Sequence, residues 1–245
     1  MASYILLLSV LLSGGGTGYP SCLSTEEGFS GYPMLPTADV LAIGQLRIRS
    51  GLSYCELESG PQLLKIPGAV SWGFVEDLEL SAGIPLFLDD DGMEGGLIGN
   101  ITGGVSYLFE TARGGTGLVL RALAEVPTGS DQRDGKGRLM VGGTTSTTFR
   151  RFRMSGSAFY GATDPFGDDS EETMSFSAGG SSFITHSLQL VAVMRGNTAG
   201  SIDLGGTISF HPVNQVGVYV SLRSGLEGPV RYCVQSGVSW IGSGF

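Results

Sequence analysis

Residues 43–55, IGQLRIRSGLSYC, alternate between two kinds of side chain. Leu46, Ile48, Leu52 and Tyr54 occupy one phase; Gln45, Arg47, Arg49, Gly51, Ser53 and Cys55 occupy the other. This is the period of a β-strand with one apolar and one polar face. The pattern recurs along the chain. Leu64, Ile66, Val70, Trp72 and Phe74 oppose Lys65; Leu78, Leu80, Ala82 and Ile84 oppose Glu79; Leu118, Leu120, Ala122, Ala124 and Val126 oppose Arg121 and Glu125. Twelve such segments are expected, over 40–57, 63–74, 78–86, 97–109, 118–126, 139–149, 152–162, 174–183, 188–195, 202–210, 216–222 and 230–240. Each is about ten residues long, enough for a tilted strand to cross a bilayer.

Alternation alone does not say which face is inside. In a soluble sandwich the apolar face meets a core, whereas in a membrane barrel it meets lipid and the polar face meets a wet lumen. The connections separate the two cases. Short ones at 75–77, 150–151, 185–186 and 212–215 broadly alternate with longer ones at 89–96, 128–138, 163–173 and 196–200. Tight turns on one side and longer loops on the other are the habit of outer-membrane barrels. The expected fold class is therefore all-β: a single up-and-down antiparallel transmembrane β-barrel of about twelve strands. An even strand count leaves both termini on one side.

Composition agrees. The 245 residues suit one large all-β domain. Forty-one are glycine, about 17% against a usual ~7%, with no Gly-X-Y period. Only 15% are charged, which argues against disorder. The net charge of −9 argues against nucleic acid as a partner. Residues 5–14, ILLLSVLLSG, have the shape of a secretory signal and are too short for a membrane-spanning helix. The expected organisation is a signal peptide over 1–20, a periplasmic or lumen-plugging lead-in over 21–39, and a barrel over 40–245. The terminal Phe245 is the kind of aromatic that outer-membrane assembly machinery reads.

LELSAGIPL (78–86) and ALAEVPTGSD (122–131) resemble the outer-membrane barrel family associated with the meta-pathway of phenol degradation. The resemblance covers roughly residues 63–245 and implies a transporter-like barrel. GFSGYPMLPTADVLAIGQLRI (28–48) is similar to the opening of outer-membrane barrels linked to exopolysaccharide secretion. Neither resemblance implies a residue-level mechanism.

Catalytic and metal chemistry find little support. The two histidines, His186 and His211, both fall in expected periplasmic turns, and there is no Gly-x-Ser-x-Gly elbow. No His/Cys/carboxylate cluster has metal-ligand spacing. No enzyme activity, metal or cofactor is expected. Asp89-Asp90-Asp91-Gly92-Met93-Glu94 lacks the spacing of an EF-hand and reads as a solvated acidic loop.

Charge is sorted by position. Gln45, Arg47, Arg49, Lys65, Glu79, Arg121, Glu125, Arg153 and Arg231 fall on the polar phase and are the candidate lumen-lining residues, while Asp89, Asp90, Asp91, Glu94, Asp164, Asp168, Asp169, Glu171 and Glu172 concentrate in loops. Two readings stand: a net-positive lumen favouring anionic or aromatic-carboxylate solutes, or arginines paired with Glu79, Glu125 and Asp203 in a filled interior. Cys55 and Cys233 lie on the polar phase near the outer ends of the first and last strands. Closure makes those strands neighbours, so a disulfide or close thiol pair is expected across the seam. Trp72, Phe74, Tyr107, Phe109, Phe149, Phe152, Phe210 and Trp240 gather near one end of their strands, as an interfacial girdle would.

The functional expectation is passive passage of small solutes through the outer membrane of a Gram-negative bacterium, with lipid and lipopolysaccharide as surroundings. A non-conducting structural or secretion-accessory barrel, for instance in exopolysaccharide export, and a soluble ligand-binding barrel are the alternatives.

Overall fold

The computed structural model describes residues 31–32, 35–58, 62–90, 98–110, 116–128, 137–165 and 170–243. The signal stretch, most of the acidic loops and Phe245 lie outside the described residues. Two short strands, β1 (Gly31–Tyr32) and β2 (Leu35–Pro36), pair with each other ahead of the barrel. Twelve strands then follow: β3 (Gln45–Leu57), β4 (Gln62–Val75), β5 (Leu78–Asp90), β6 (Ile101–Glu110), β7 (Thr116–Val126), β8 (Arg138–Phe149), β9 (Phe152–Thr163), β10 (Glu171–Phe183), β11 (Leu188–Asn197), β12 (Ile202–Val213), β13 (Val216–Glu227) and β14 (Val230–Ser243). Each pairs antiparallel with the next, and β14 returns to β3, which closes the barrel.

The twelve strands coincide with the twelve alternating segments, with instructive differences at their ends. Several run further than the alternation, β5 to Asp90 and β13 to Glu227, because the backbone ladder continues where the apolar side chains stop. The first barrel strand starts at Gln45, not at residue 40. A turn over 42–45, with Gly44 at φ 73°, redirects the chain, and Leu41 before it is buried inside the barrel. Such a positive φ suits glycine, which has no Cβ to clash. The fourth alternating segment begins at Ile101 rather than 97. Its ladder with β5 ends at Gly83–Thr102, beyond which the two stretches meet again only as an isolated bridge between Leu86 and Ile98 among the described residues, with the Gly99 N–H donating to the Pro85 carbonyl and Gly99 beneath Pro85 and Phe87.

The polar phase points inward. Arg47, Arg49, Ser53, Cys55, Ser71, Glu79, Arg121, Thr144, Ser146, Gln189, Thr207, Ser221 and Gln235 are all buried. The apolar phase forms the outer wall, where Ile48, Leu52, Val70, Leu120, Val141, Met154, Leu190, Ile208, Val220 and Val238 are exposed. We call the end carrying the short turns at 76–77, 150–151 and 214–215, together with Gln45 and Ser243, the near end, and the opposite end the far end. All eight girdle aromatics are exposed toward the near end. Trp72 meets Phe74 edge-on at 5.0 Å, and Tyr107 meets Phe109 at 4.7 Å. Tyr54 and Tyr232, 6.1 Å apart, mark the far end. From Trp240 to Tyr232 along a tilted β14 the apolar band is about 20 Å tall.

Cys55 and Cys233 are register partners on β3 and β14, with Cα atoms 4.1 Å apart, and they are bonded. The bond spans 178 residues of sequence, so it removes one of the longest loops the unfolded chain could sample. Replacing both cysteines by serine should lower stability by about 2–4 kcal/mol. Urea unfolding of the refolded protein, with and without reductant, checks this: reductant should destabilise the native protein and leave the double variant unchanged.

Candidate functional site

The lumen is not empty at the near end. Residues 35–42 run through it without regular structure beyond β2, and Leu35, Thr37 and Leu41 are almost wholly buried. A chain buried this way must find partners for its backbone polar groups, since leaving them unmade costs free energy comparable to a lost hydrogen bond. Barrel side chains supply those partners. Ser146 Oγ accepts from the Ala38 N–H at 2.7 Å, and Glu79 Oε2 accepts from the Leu41 N–H at 2.9 Å. Arg121 donates to the carbonyls of Thr37 at 2.7 Å and Asp39 at 3.4 Å, and is itself anchored on the Thr144 hydroxyl at 2.6 Å. Arg153 grips the Asp39 carboxylate with both terminal nitrogens, at 2.7 and 2.6 Å. Fork-on-carboxylate geometry of this kind is among the stronger polar contacts.

The opposite side of the segment is apolar. Leu35 and Leu41 pack into a buried cluster with Val191, Val193, Tyr219 and Ile241. Wall glycines make room for it. A Cβ on Gly73 would collide with the Ala42 carbonyl, and one on Gly117 would lie 2.9 Å from the Ala38 carbonyl oxygen. Residues 35–42 are thus a fitted plug, with an apolar side against β11, β13 and β14 and a polar side against β5, β7, β8 and β9.

This places the candidate lumen residues in three groups. Arg47, Arg49, Glu79, Arg121 and Arg153 surround the plug. Arg47 lies 3.8 Å from Glu79, and Arg49 donates from Nε to the Tyr219 hydroxyl at 2.8 Å while its guanidinium lies over the ring, 5.1 Å from its centre. Gln45 closes the near mouth, where its N–H and side-chain oxygen bond the Ala42 carbonyl and N–H. Lys65 and Glu125 belong to the far half: Glu125 accepts from Asn100 at 2.9 Å, and Lys65 lies beside the Cys55–Cys233 bond. Arg231 does not face the lumen. A register shift between Val230 and Tyr232 breaks the alternation there, and Arg231 sits on the far rim, 69% exposed, paired with Glu56 at 2.8 Å.

Sequence reasoning missed Tyr219, Thr37 and Asp39 as partners of the arginines. Tyr219 carried a signal, being an aromatic on the polar phase of β13 between Val218 and Val220. Thr37 and Asp39 carried none, because a segment without periodicity gives no face to read. Ser209 and His211 lie 3.2 Å apart near the near end, but Ser209 is fully buried and offers no open face to a substrate.

Above the plug, toward the far end, lies a cavity of about 350 Å³ with Pro36 in its lining. Arg138, Arg195 and Arg223 face it together with Glu125 and Asp203.

No family model matches the sequence, and no curated protein matches it. Solved structures match in shape. An outer membrane channel from Pseudomonas putida F1 aligns with a TM-score of 0.65 at 11% identity, over 84% of this chain and 98% of that one. The KdgM porin, solved in complex with disordered oligogalacturonate, aligns at 0.58 and 8% identity, and the NanC porin at 0.58 and 11%, each over 80% of this chain and 98% of the other. At such identities the likeness is one of fold.

The grip on the plug is testable. With Cys22→Ser and Ala38→Cys introduced, a bulky maleimide should modify position 38 very slowly. Adding Arg121→Gln and Arg153→Gln removes charged hydrogen bonds worth about 1.5–3 kcal/mol each and should raise that rate at least tenfold; an unchanged rate would mean the apolar side alone holds the plug.

Proposed function

We propose that this chain is an outer-membrane barrel of a Gram-negative envelope that passes small solutes, with residues 35–42 as the plug that limits its conductance. The apolar outer band between two aromatic levels supports the membrane setting. Among the strand residues whose side chains are described, the charged ones on that outer face, Glu56, Glu172 and Arg231, all sit at the far rim, whereas a soluble barrel has no need of such a band. The shared fold with outer-membrane channels and porins supports the same setting.

The observation that carries the transport reading is the two-sided plug. Its polar side is held by arginines, hydroxyls and the Glu79 carboxylate of the wall, groups that could exchange the plug for water. Solutes would pass when the segment shifts. Cations in the far half, Lys65, Arg138, Arg195 and Arg223, outnumber the carboxylates Glu125 and Asp203 that share the cavities there, which favours anionic solutes. An aromatic solute is suggested by the sequence resemblance alone.

One observation favours a second reading, that of a non-conducting structural or secretion-accessory barrel. Leu35 and Leu41 are fully buried, and burying such side chains contributes about 1.5–3 kcal/mol each, so the closed form is strongly populated.

Conductance across a planar bilayer separates the two. The native protein should show brief, discrete, anion-preferring steps. Leu41→Ala with Arg153→Gln, the first of which costs about 2–5 kcal/mol of packing, should raise the mean current at least tenfold. Steps in the variant with silence from inserted native barrels would support the second reading instead. The membrane setting has its own check. Val220→Arg, on the outer wall at mid-height opposite Ser236, should cost about 2–4 kcal/mol for folding into vesicles; a small cost, with full solubility in the absence of detergent, would point to a soluble barrel.

A further inference from the structure

The arginines of the far half differ from those that hold the plug in what surrounds them. Arg121 and Arg153 have a carbonyl, a hydroxyl and a carboxylate in their forks at 2.6–2.7 Å. Arg223 has weaker company. Asp203 lies 3.9 Å from its Nε, beyond hydrogen-bond reach, and its Nη2 points at the Cys233 sulfur at 3.4 Å. A disulfide sulfur is a poor acceptor. Among the described residues, the buried Nε atoms of Arg223 and Arg138 meet no hydrogen-bond partner; the Nε atoms of Arg121 and Arg153 meet none either, but those two side chains are held through their terminal nitrogens. Buried donors left unmade are costly, more so when the group is charged. Arg138, Arg195 and Arg223 come from three different strands and face one cavity of about 350 Å³, a volume at the small end of the usual range for ligand sites. The same cavity has an apolar flank in Leu123 and Phe159, both buried, with Met140 beside them.

We propose that this chamber is a binding site for a small carboxylate carrying an apolar body. The carboxylate would take the guanidinium forks of Arg195 and Arg223, a geometry Arg matches with two parallel hydrogen bonds. The body would lie against Phe159 and Leu123. Asp203 and Glu125 keep the site from being uniformly positive, so a dianion gains less than its charge suggests. The proposal deepens the transport reading, resting on it only in that the chamber must be reached from the far side.

Equilibrium dialysis of the full chain, folded in detergent micelles, tests this without any transport step. The probes are benzoate, benzyl alcohol as its uncharged counterpart, and acetate as the carboxylate without the body. Benzoate should bind at least tenfold more tightly than either. Arg195→Gln and Arg223→Gln should each weaken benzoate at least tenfold and leave benzyl alcohol unchanged. If either variant fails to fold, salt serves on the native protein, because raising ionic strength should weaken benzoate severalfold and spare benzyl alcohol. Equal binding of benzoate and benzyl alcohol would overturn the anion site, and equal binding of benzoate and acetate would overturn the apolar flank. A protein that conducts but does not bind benzoate removes this inference and leaves the channel; one that binds benzoate but never conducts does the reverse.

Discussion

The ladder between β14 and β3 is the constraint on which everything else rests. A sheet of twelve strands with two open edges would expose rows of unpaired N–H and C=O groups along both. Pairing Val230–Ser243 back onto Gln45–Leu57 removes both edges at once. Closure fixes the strand count and the lumen width together, since tilt, stagger and diameter are linked in a barrel. It also makes residues 178 apart in sequence into neighbours, which is why a single covalent bond at Cys55–Cys233 can lock the far end of the seam.

A lumen of fixed width must then be filled or left wet, and this protein does both at different heights. At the near end the plug occupies it, and the wall there is written around a specific piece of backbone. Glu79 meets one N–H, Ser146 another, Arg121 two carbonyls and Arg153 a carboxylate. Arginine suits this role because its fork reaches several acceptors while its charge never titrates away. Tyr219 lies over Gly237, whose missing side chain gives the ring its space, and Arg49 lies over the ring in turn. At the far end, among the described residues, no segment from outside the wall meets its charge, and a cavity remains.

Much of this was legible in the chain. Period-two alternation located all twelve strands, the sorting of short and long connections gave the up-and-down order, and the phase of Arg47, Arg49, Glu79 and Arg121 gave their inward direction. Other features were not legible, for identifiable reasons. Arg231 keeps the polar phase in sequence but leaves the lumen, because one extra residue at a strand end inverts the phase. Residues 40–42 read as the start of a strand because Val40, Leu41 and Ala42 are apolar, yet Leu41 faces inward as part of the plug. Asp39 was visible only as a charge in a proline-containing lead-in. Its partner Arg153 is 114 positions away, and no local pattern links them.

The sequence by itself determined the two faces of the wall, because side-chain direction in a strand follows from backbone pleating and needs no knowledge of the neighbours. It determined as well that the first and last strands would bring Cys55 and Cys233 together once the sheet closed. Only the tertiary structure decided what the inward arginines meet. A guanidinium in a lumen is equally at home beside water, a carboxylate or a backbone carbonyl, and which of these it finds depends on where an aperiodic segment threads in three dimensions.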